Sequence, residues 1–235
     1  MHDHTLRRTI SAIGFAFVMI LGCAQISTAQ QQIINVPSHD VLEAGKSRVD
    51  FYQNFLLWSP SYLGLTAEMQ RGIGQNAEMG FGLANVTFSA PHVECLLLAL
   101  KRLDTLSDTP HYTISEGLTA TQPFGGGVQS GLMLYISGGT KIDTTLRLTF
   151  GLFAGLGGVT GTGSAAAGLM LGAEYRLAEQ ITLKADWLSG TSLLGILSIG
   201  GEYRIANALS LQLAIQRANA SGVGLSVLTG VRYIL

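Results

Sequence analysis

The chain has 235 residues, 47% of them hydrophobic and only 12% charged, with 14 Lys and Arg against 15 Asp and Glu. Low charge and a mean hydropathy of +0.36 exclude a disordered polyelectrolyte. A net charge of −1 gives no electrostatic footing for nucleic acid.

The first residues follow the order of a secretory signal: Arg7 and Arg8, an apolar run from Ile13 to Leu21, then the small residues Ser27-Thr28-Ala29. Cleavage is expected after Ala29, so residues 1–29 read as a signal peptide. The run falls well short of the ~20 residues that span a bilayer as a helix. A short anchor helix is the competing reading. A second cut is offered by Ile20-Leu21-Gly22-Cys23, which resembles a bacterial lipobox and would leave a lipidated Cys23 at the new N-terminus. Beyond Ala29 only Cys95 remains, which excludes a disulfide framework and a Cys-rich zinc site. Residues 30–45 read as a periplasmic lead-in, and 46–235 as a transmembrane β-barrel.

The barrel reading rests on parity. No later segment has 18 uninterrupted apolar residues, so a helical membrane bundle is disfavoured. Instead, apolar and polar residues alternate for about ten residues at a time, with turn residues between, as in lipid-spanning strands. Twelve strands are predicted near 46–57, 62–71, 77–88, 92–103, 111–122, 127–137, 142–154, 164–176, 181–189, 193–204, 208–217 and 222–235. Val49, Phe51 and Phe55 oppose Arg48, Asp50, Tyr52 and Asn54; Leu65, Ala67 and Met69 oppose Thr66, Glu68 and Gln70. Met79, Phe81 and Leu83 oppose Glu78, Gly80 and Gly82. The fourth segment is ambiguous, because Val93, Leu96, Leu97 and Leu100 also fit helical spacing; a helix there would make ten strands the natural count. Further on, Leu146, Leu148, Phe150 and Leu152 oppose Arg147 and Thr149.

The eighth segment is the cleanest, with Leu169, Leu171, Ala173 and Tyr175 on one face and Met170, Gly172, Glu174 and Arg176 on the other. After a short turn, Ile181, Leu183, Ala185 and Trp187 oppose Thr182, Lys184 and Asp186. The phrase Gly172-Ala-Glu-Tyr-Arg-Leu-Ala178 then returns as Gly200-Gly-Glu-Tyr-Arg-Ile-Ala206, the step of an up-and-down antiparallel meander. A cation at the bilayer midplane costs about 2–4 kcal/mol. Arg147, Glu174, Arg176, Lys184, Asp186, Glu202 and Arg204 are therefore expected to face the lumen. Glu174 is expected to pair with Lys184, and Arg176 with Glu202. Tyr175, Tyr203 and Tyr233 fall at one rim on the outward face, as an aromatic girdle would. Connections after even-numbered strands are mostly tight and are assigned to the periplasm, with Asp104–Pro110 as an exception.

The end of the chain carries a resemblance. Val227, Thr229, Val231, Tyr233 and Leu235 alternate to the last residue, which looks like the C-terminal recognition strand of bacterial outer-membrane β-barrels, with Leu235 where Phe or Trp is usual. The stretch from Val36 to Lys46 resembles the lead-in of small porin-like barrels. The resemblance implies a place in the outer membrane of a Gram-negative-type envelope. It also implies outer-membrane lipid around the barrel, and delivery by periplasmic chaperones and the barrel-assembly machinery.

Chemistry is sparse. His39, His92 and His111 lie at expected loops or the lead-in with no nucleophile pattern around them, and no metal-ligand spacing appears. Gly157 to Gly163 lacks the Lys-Ser/Thr of a phosphate loop and reads as a glycine-rich connection. No catalytic residue, metal or cofactor is assigned. The expectation is a porin-like channel for passive passage of small solutes. A closed structural barrel acting through its loops is the alternative, and a membrane-embedded hydrolase the third reading.

Overall fold

Hydrocarbon offers the backbone no hydrogen-bond partners, so strands that cross it must be paired on both sides and the sheet must close. The computed structural model describes residues 35–57, 63–74, 76–87, 94–108, 111–124, 129–157, 165–191, 194–219 and 224–235. Twelve strands are present: β1 (Ser47–Leu56), β2 (Leu63–Gly72), β3 (Ala77–Thr87), β4 (Glu94–Asp108), β5 (His111–Phe124), β6 (Gly131–Lys141), β7 (Leu146–Gly157), β8 (Ala166–Ala178), β9 (Ile181–Leu188), β10 (Ile196–Ala206), β11 (Leu209–Ala218) and β12 (Leu225–Ile234). Each pairs antiparallel with its chain neighbours, and β12 closes on β1 with Asp50 opposite Arg232 and Gln53 opposite Thr229. The expected signal peptide, Ala29 and Cys23 lie outside the described residues.

Alternation sets which side chains meet which medium. Leu169, Leu171, Leu183, Leu213 and Ile215 stand exposed on the outside, while Met170, Lys184, Asp186, Gln212 and Gln216 are buried inside. The exposed apolar residues recur on the outer register of eleven of the twelve strands, far beyond the few hundred Å² that a water-facing monomer leaves uncovered, so this face requires lipid. Tyr175, Tyr203 and Tyr233 are exposed near one end of the barrel.

The fourth segment is a strand and not a helix. Leu98 and Leu100 face out while Ala99 and Lys101 are buried, and the backbone pairs with both β3 and β5. A helix here would leave two sheet edges unpaired in hydrocarbon, which decides the ambiguity. β4 also runs beyond the expected boundary, through a bulge between Thr105 and Ser107, until Asp108 faces His111. The exception at Asp104–Pro110 is thus removed, and only 109–110 join β4 to β5. Residues 73–76, 142–145, 179–180 and 207–208 make the other connections at that end, all of two to four residues, against six to eight at the opposite end. In the 142–145 turn the Asp143 carboxylate accepts the Thr145 hydroxyl (2.7 Å) and the N–H groups of Thr145 (2.6 Å) and Leu146 (2.8 Å), which locks the reversal and lowers the Asp143 pKa.

The lead-in requires a correction. Its described part, 35–46, does not stay outside the barrel: it crosses the lumen. It has no alternation to reveal that location, because it is held from all sides by side chains of the wall instead of by a sheet partner. It bridges a strand where Ala44 meets Gly72, at the tight-turn end.

Candidate functional site

The lumen is lined in two ways. Near the tight-turn end, β8, β9, β10, β12 and β1 carry a continuous ionic network. Lys184 lies 3.7 Å from Glu174 and 2.6 Å from Glu202. Arg232 bridges Glu202 (2.9 Å) and Asp50 (3.0 Å) and reaches the Tyr52 hydroxyl. Asp50 also accepts from Arg48 (2.9 Å) and Gln70 (3.0 Å), and Ser210 donates to Glu202 (2.7 Å). Strand register builds this: Glu174 faces Lys184 across β8–β9, and Asp50 faces Arg232 across β1–β12. Buried charges of this kind are tolerated only when each keeps its partners.

The opposite wall finds its partners in the crossing segment. Leu42 N–H donates to Glu78 (3.0 Å). The Asp40 carboxylate takes Arg147, and its backbone carbonyl takes Lys101, which also lies 3.5 Å from Glu78. His39 Nδ1 meets the Thr113 hydroxyl at 3.0 Å, with its ring seated over Gly139. A Cβ at position 139 would overlap that ring, so glycine makes the seat. Burial, together with the nearby Lys101 and Arg147 cations, lowers the His39 pKa to about 4. At the far end of the segment, Val36 N–H donates to Asp186 (2.9 Å), and Asn35 bonds Asp186 and Ser198 and accepts from Gln216 (3.2 Å).

Towards the longer connections the side of the lumen lined by β6 to β9 is largely apolar, whereas Asn54, Ser198 and Gln216 keep the side of β1, β10 and β11 polar. Val36 is fully buried in a cluster with Met133, Tyr135, Phe153, Met170, Leu188, Ala214 and Leu228. Gly168 gives Phe153 its place, since a Cβ there would sit 2.8 Å from the ring.

Of the residues expected in the lumen, Lys184 and Asp186 are buried, while Glu174 and Glu202 are partly so. Arg147 is half-buried on Asp40. Arg176 and Arg204 are exposed at the tight-turn rim, and Arg204 bonds the Glu179 backbone carbonyl. Glu174 pairs with Lys184 as expected, but Arg176 does not pair with Glu202, whose two oxygens are taken by Lys184, Arg232 and Ser210. Lys101 was not expected in the lumen, because the ambiguity of the fourth strand hid it, and residues 30–45 were expected only as a periplasmic lead-in with no lumen contacts.

No protein-family description matches the chain, and no curated protein matches it. Solved structures do resemble it. The KdgM porin superposes with a TM-score of 0.62 at 9% identity, over 79% of this chain and 98% of that one. The NanC porin gives 0.57 at 9% identity, over 79% and 98%. The COG4313 outer membrane channel from Pseudomonas putida F1 gives 0.56 at 11% identity, over 84% and 98%. At such identities the likeness is one of fold: this chain's closed barrel of twelve strands resembles the folds of these porins and of this outer membrane channel.

Proposed function

We propose that the chain is an outer-membrane channel for passive passage of small solutes, in which residues 35–46 set how much of the lumen is open. It reaches the membrane through periplasmic chaperones and the barrel-assembly machinery. The observation that carries the reading is that the crossing segment is held by side-chain bonds and almost no sheet pairing. Each such bond contributes about 0.5–1.5 kcal/mol net, or about 1.5–3 where one partner is charged. Undocking the segment therefore breaks this set of side-chain bonds and leaves the barrel hydrogen bonds intact. Short turns mark the periplasmic end of bacterial barrels. The segment thus enters from the periplasm, beside Gly72, and climbs to Asp186.

A hydrolase is disfavoured by the same geometry. His39 Nδ1 is on Thr113, its Nε2 has no partner among the described residues, and Asp40 is engaged by Arg147 and not by the imidazole. A nucleophile–base–acid relay needs the carboxylate on the second ring nitrogen.

Planar-bilayer recording on the purified full chain tests the reading. Discrete conductance steps are expected, and deletion of residues 35–42 should raise them severalfold while the protein still runs as a folded barrel on unheated gels. Silence from both proteins would overturn the channel and leave a closed structural barrel.

A further inference from the structure

Resting on the channel reading, we propose that the position now filled by Asn35 and Val36 is a binding site for a small amphipathic amine. Its apolar body would lie among Met133, Phe153, Met170 and Leu188, and its N–H head on Asp186. The crossing segment acts as a built-in ligand whose chemistry can be read directly. Its apolar part is the Val36 side chain, fully buried in the cluster formed by those four residues with Tyr135 and Leu228. Its polar part is a set of N–H donors converging on one carboxylate: the backbone N–H groups of Asn35 and Val36 reach Asp186 Oδ2, and the Asn35 amide reaches Asp186 Oδ1 at 3.3 Å.

The charge pattern selects the class of molecule. Asp186 is buried and, as a carboxylate, only accepts hydrogen bonds, so a solute that takes over this place must bring donors. An ammonium brings three donors and a compensating charge in one compact head. A carboxylate solute would add a second buried anion there. A polyhydroxylated solute would press most of its hydroxyls against Met133, Phe153 and Met170, which offer them no partners, with the Tyr135 hydroxyl the one polar group of the cluster. Ser198 and Gln216, which hold the Asn35 side chain, flank the head position and can take a further polar substituent. The nearby cation Lys184 is itself held by Glu174 and Glu202.

Titration calorimetry on the detergent-solubilised full chain tests this with three probes. These are 2-phenylethylamine (ring and ammonium), phenylacetate (ring and carboxylate) and glucosamine (ammonium on a polar body). Saturable heat is expected from 2-phenylethylamine alone. Asp186→Asn should weaken it by about tenfold or more, the loss of a charge-assisted hydrogen bond. Val36→Gly should tighten it, because the competing side chain is gone, and a misfolded protein cannot mimic a gain. Equal binding of phenylacetate or glucosamine, no tightening in Val36→Gly, or no heat from any probe would each overturn the proposal. Bilayer recording on the same preparations separates the two readings. Conductance without amine binding removes the site and keeps the channel, whereas binding in a silent bilayer removes the channel and keeps the site.

Discussion

The two walls of the lumen neutralise buried charge by different means. On β8, β9, β10, β12 and β1, wall residues partner one another: Glu174–Lys184, Lys184–Glu202 and Asp50–Arg232 join neighbouring strands, and Arg232 reaches Glu202 across β11. On the other wall, Glu78, Lys101, Arg147 and Thr113 complete their bonding with a segment that is not part of the sheet. The first arrangement cannot come apart without breaking strand pairing. The second can, because that segment is held to the wall by side-chain bonds and not by continuous strand pairing. Structural charge and functional charge are thus distinguished by who supplies the counter-charge.

The largest expected effect tests the first wall. Lys184→Met leaves Glu174 without its cation and takes one from Glu202, a loss of about 3–5 kcal/mol for a broken buried pair. The temperature at which the folded form is lost on gel electrophoresis should drop clearly, with recovery when Glu174→Leu is added. If Lys184→Met unfolds no earlier than the parent, the register-built network is not structural.

The second wall should instead respond in conductance. A freed His39 titrates near 6.5 and the seated one near 4, so the undocked state binds the extra proton. Docking is then fully favoured above pH 6.5 and weakens as pH falls toward 4, by about 3 kcal/mol in all. The groups facing His39 are Lys101 on β4, Thr113 and His111 on β5, Gly138 and Lys141 on β6, Arg147 on β7, Glu174 on β8, and its own neighbour Asp40. Conductance should rise in this acid window and be flat with pH in His39→Gln. A flat profile in the parent would remove His39 from the latch.

A smaller effect is expected from Gly139→Ala, whose added Cβ displaces the His39 ring and costs about 1–3 kcal/mol of docking through overpacking. Conductance at neutral pH should increase with no change in barrel unfolding. Thr113→Ala removes a single neutral hydrogen bond, about 1 kcal/mol, and should open the channel least. If Thr113→Ala opened it more than Gly139→Ala, the seat would be polar and not steric.

What could be read before any coordinates follows from the period-two law of strands. Leu169 against Met170, Leu183 against Lys184 and Leu148 against Thr149 are divided between lipid and lumen by parity alone, and parity is local. Tyr175, Tyr203 and Tyr233 at one rim were legible for the same reason. The fourth strand was not, since a crowded run such as Cys95 to Leu100 carries no parity signal; only the edges of β3 and β5 demanding partners made it a strand. The Arg176–Glu202 pairing failed because Glu202 faces Lys184 and Arg232 at closer range, a competition that sequence spacing does not rank.

The sequence alone determined the facing of the regularly alternating strands, and with them a cylinder with lipid outside, because alternation repeats along each of them. Only the tertiary structure decided that residues 35–46 turn into that cylinder and that Asp186, Glu78, Lys101 and Arg147 close upon them. The reason is physical: closing the barrel desolvates charges on distant strands at once, and where sheet register offers too few partners, a segment with no periodic signature of its own supplies the rest.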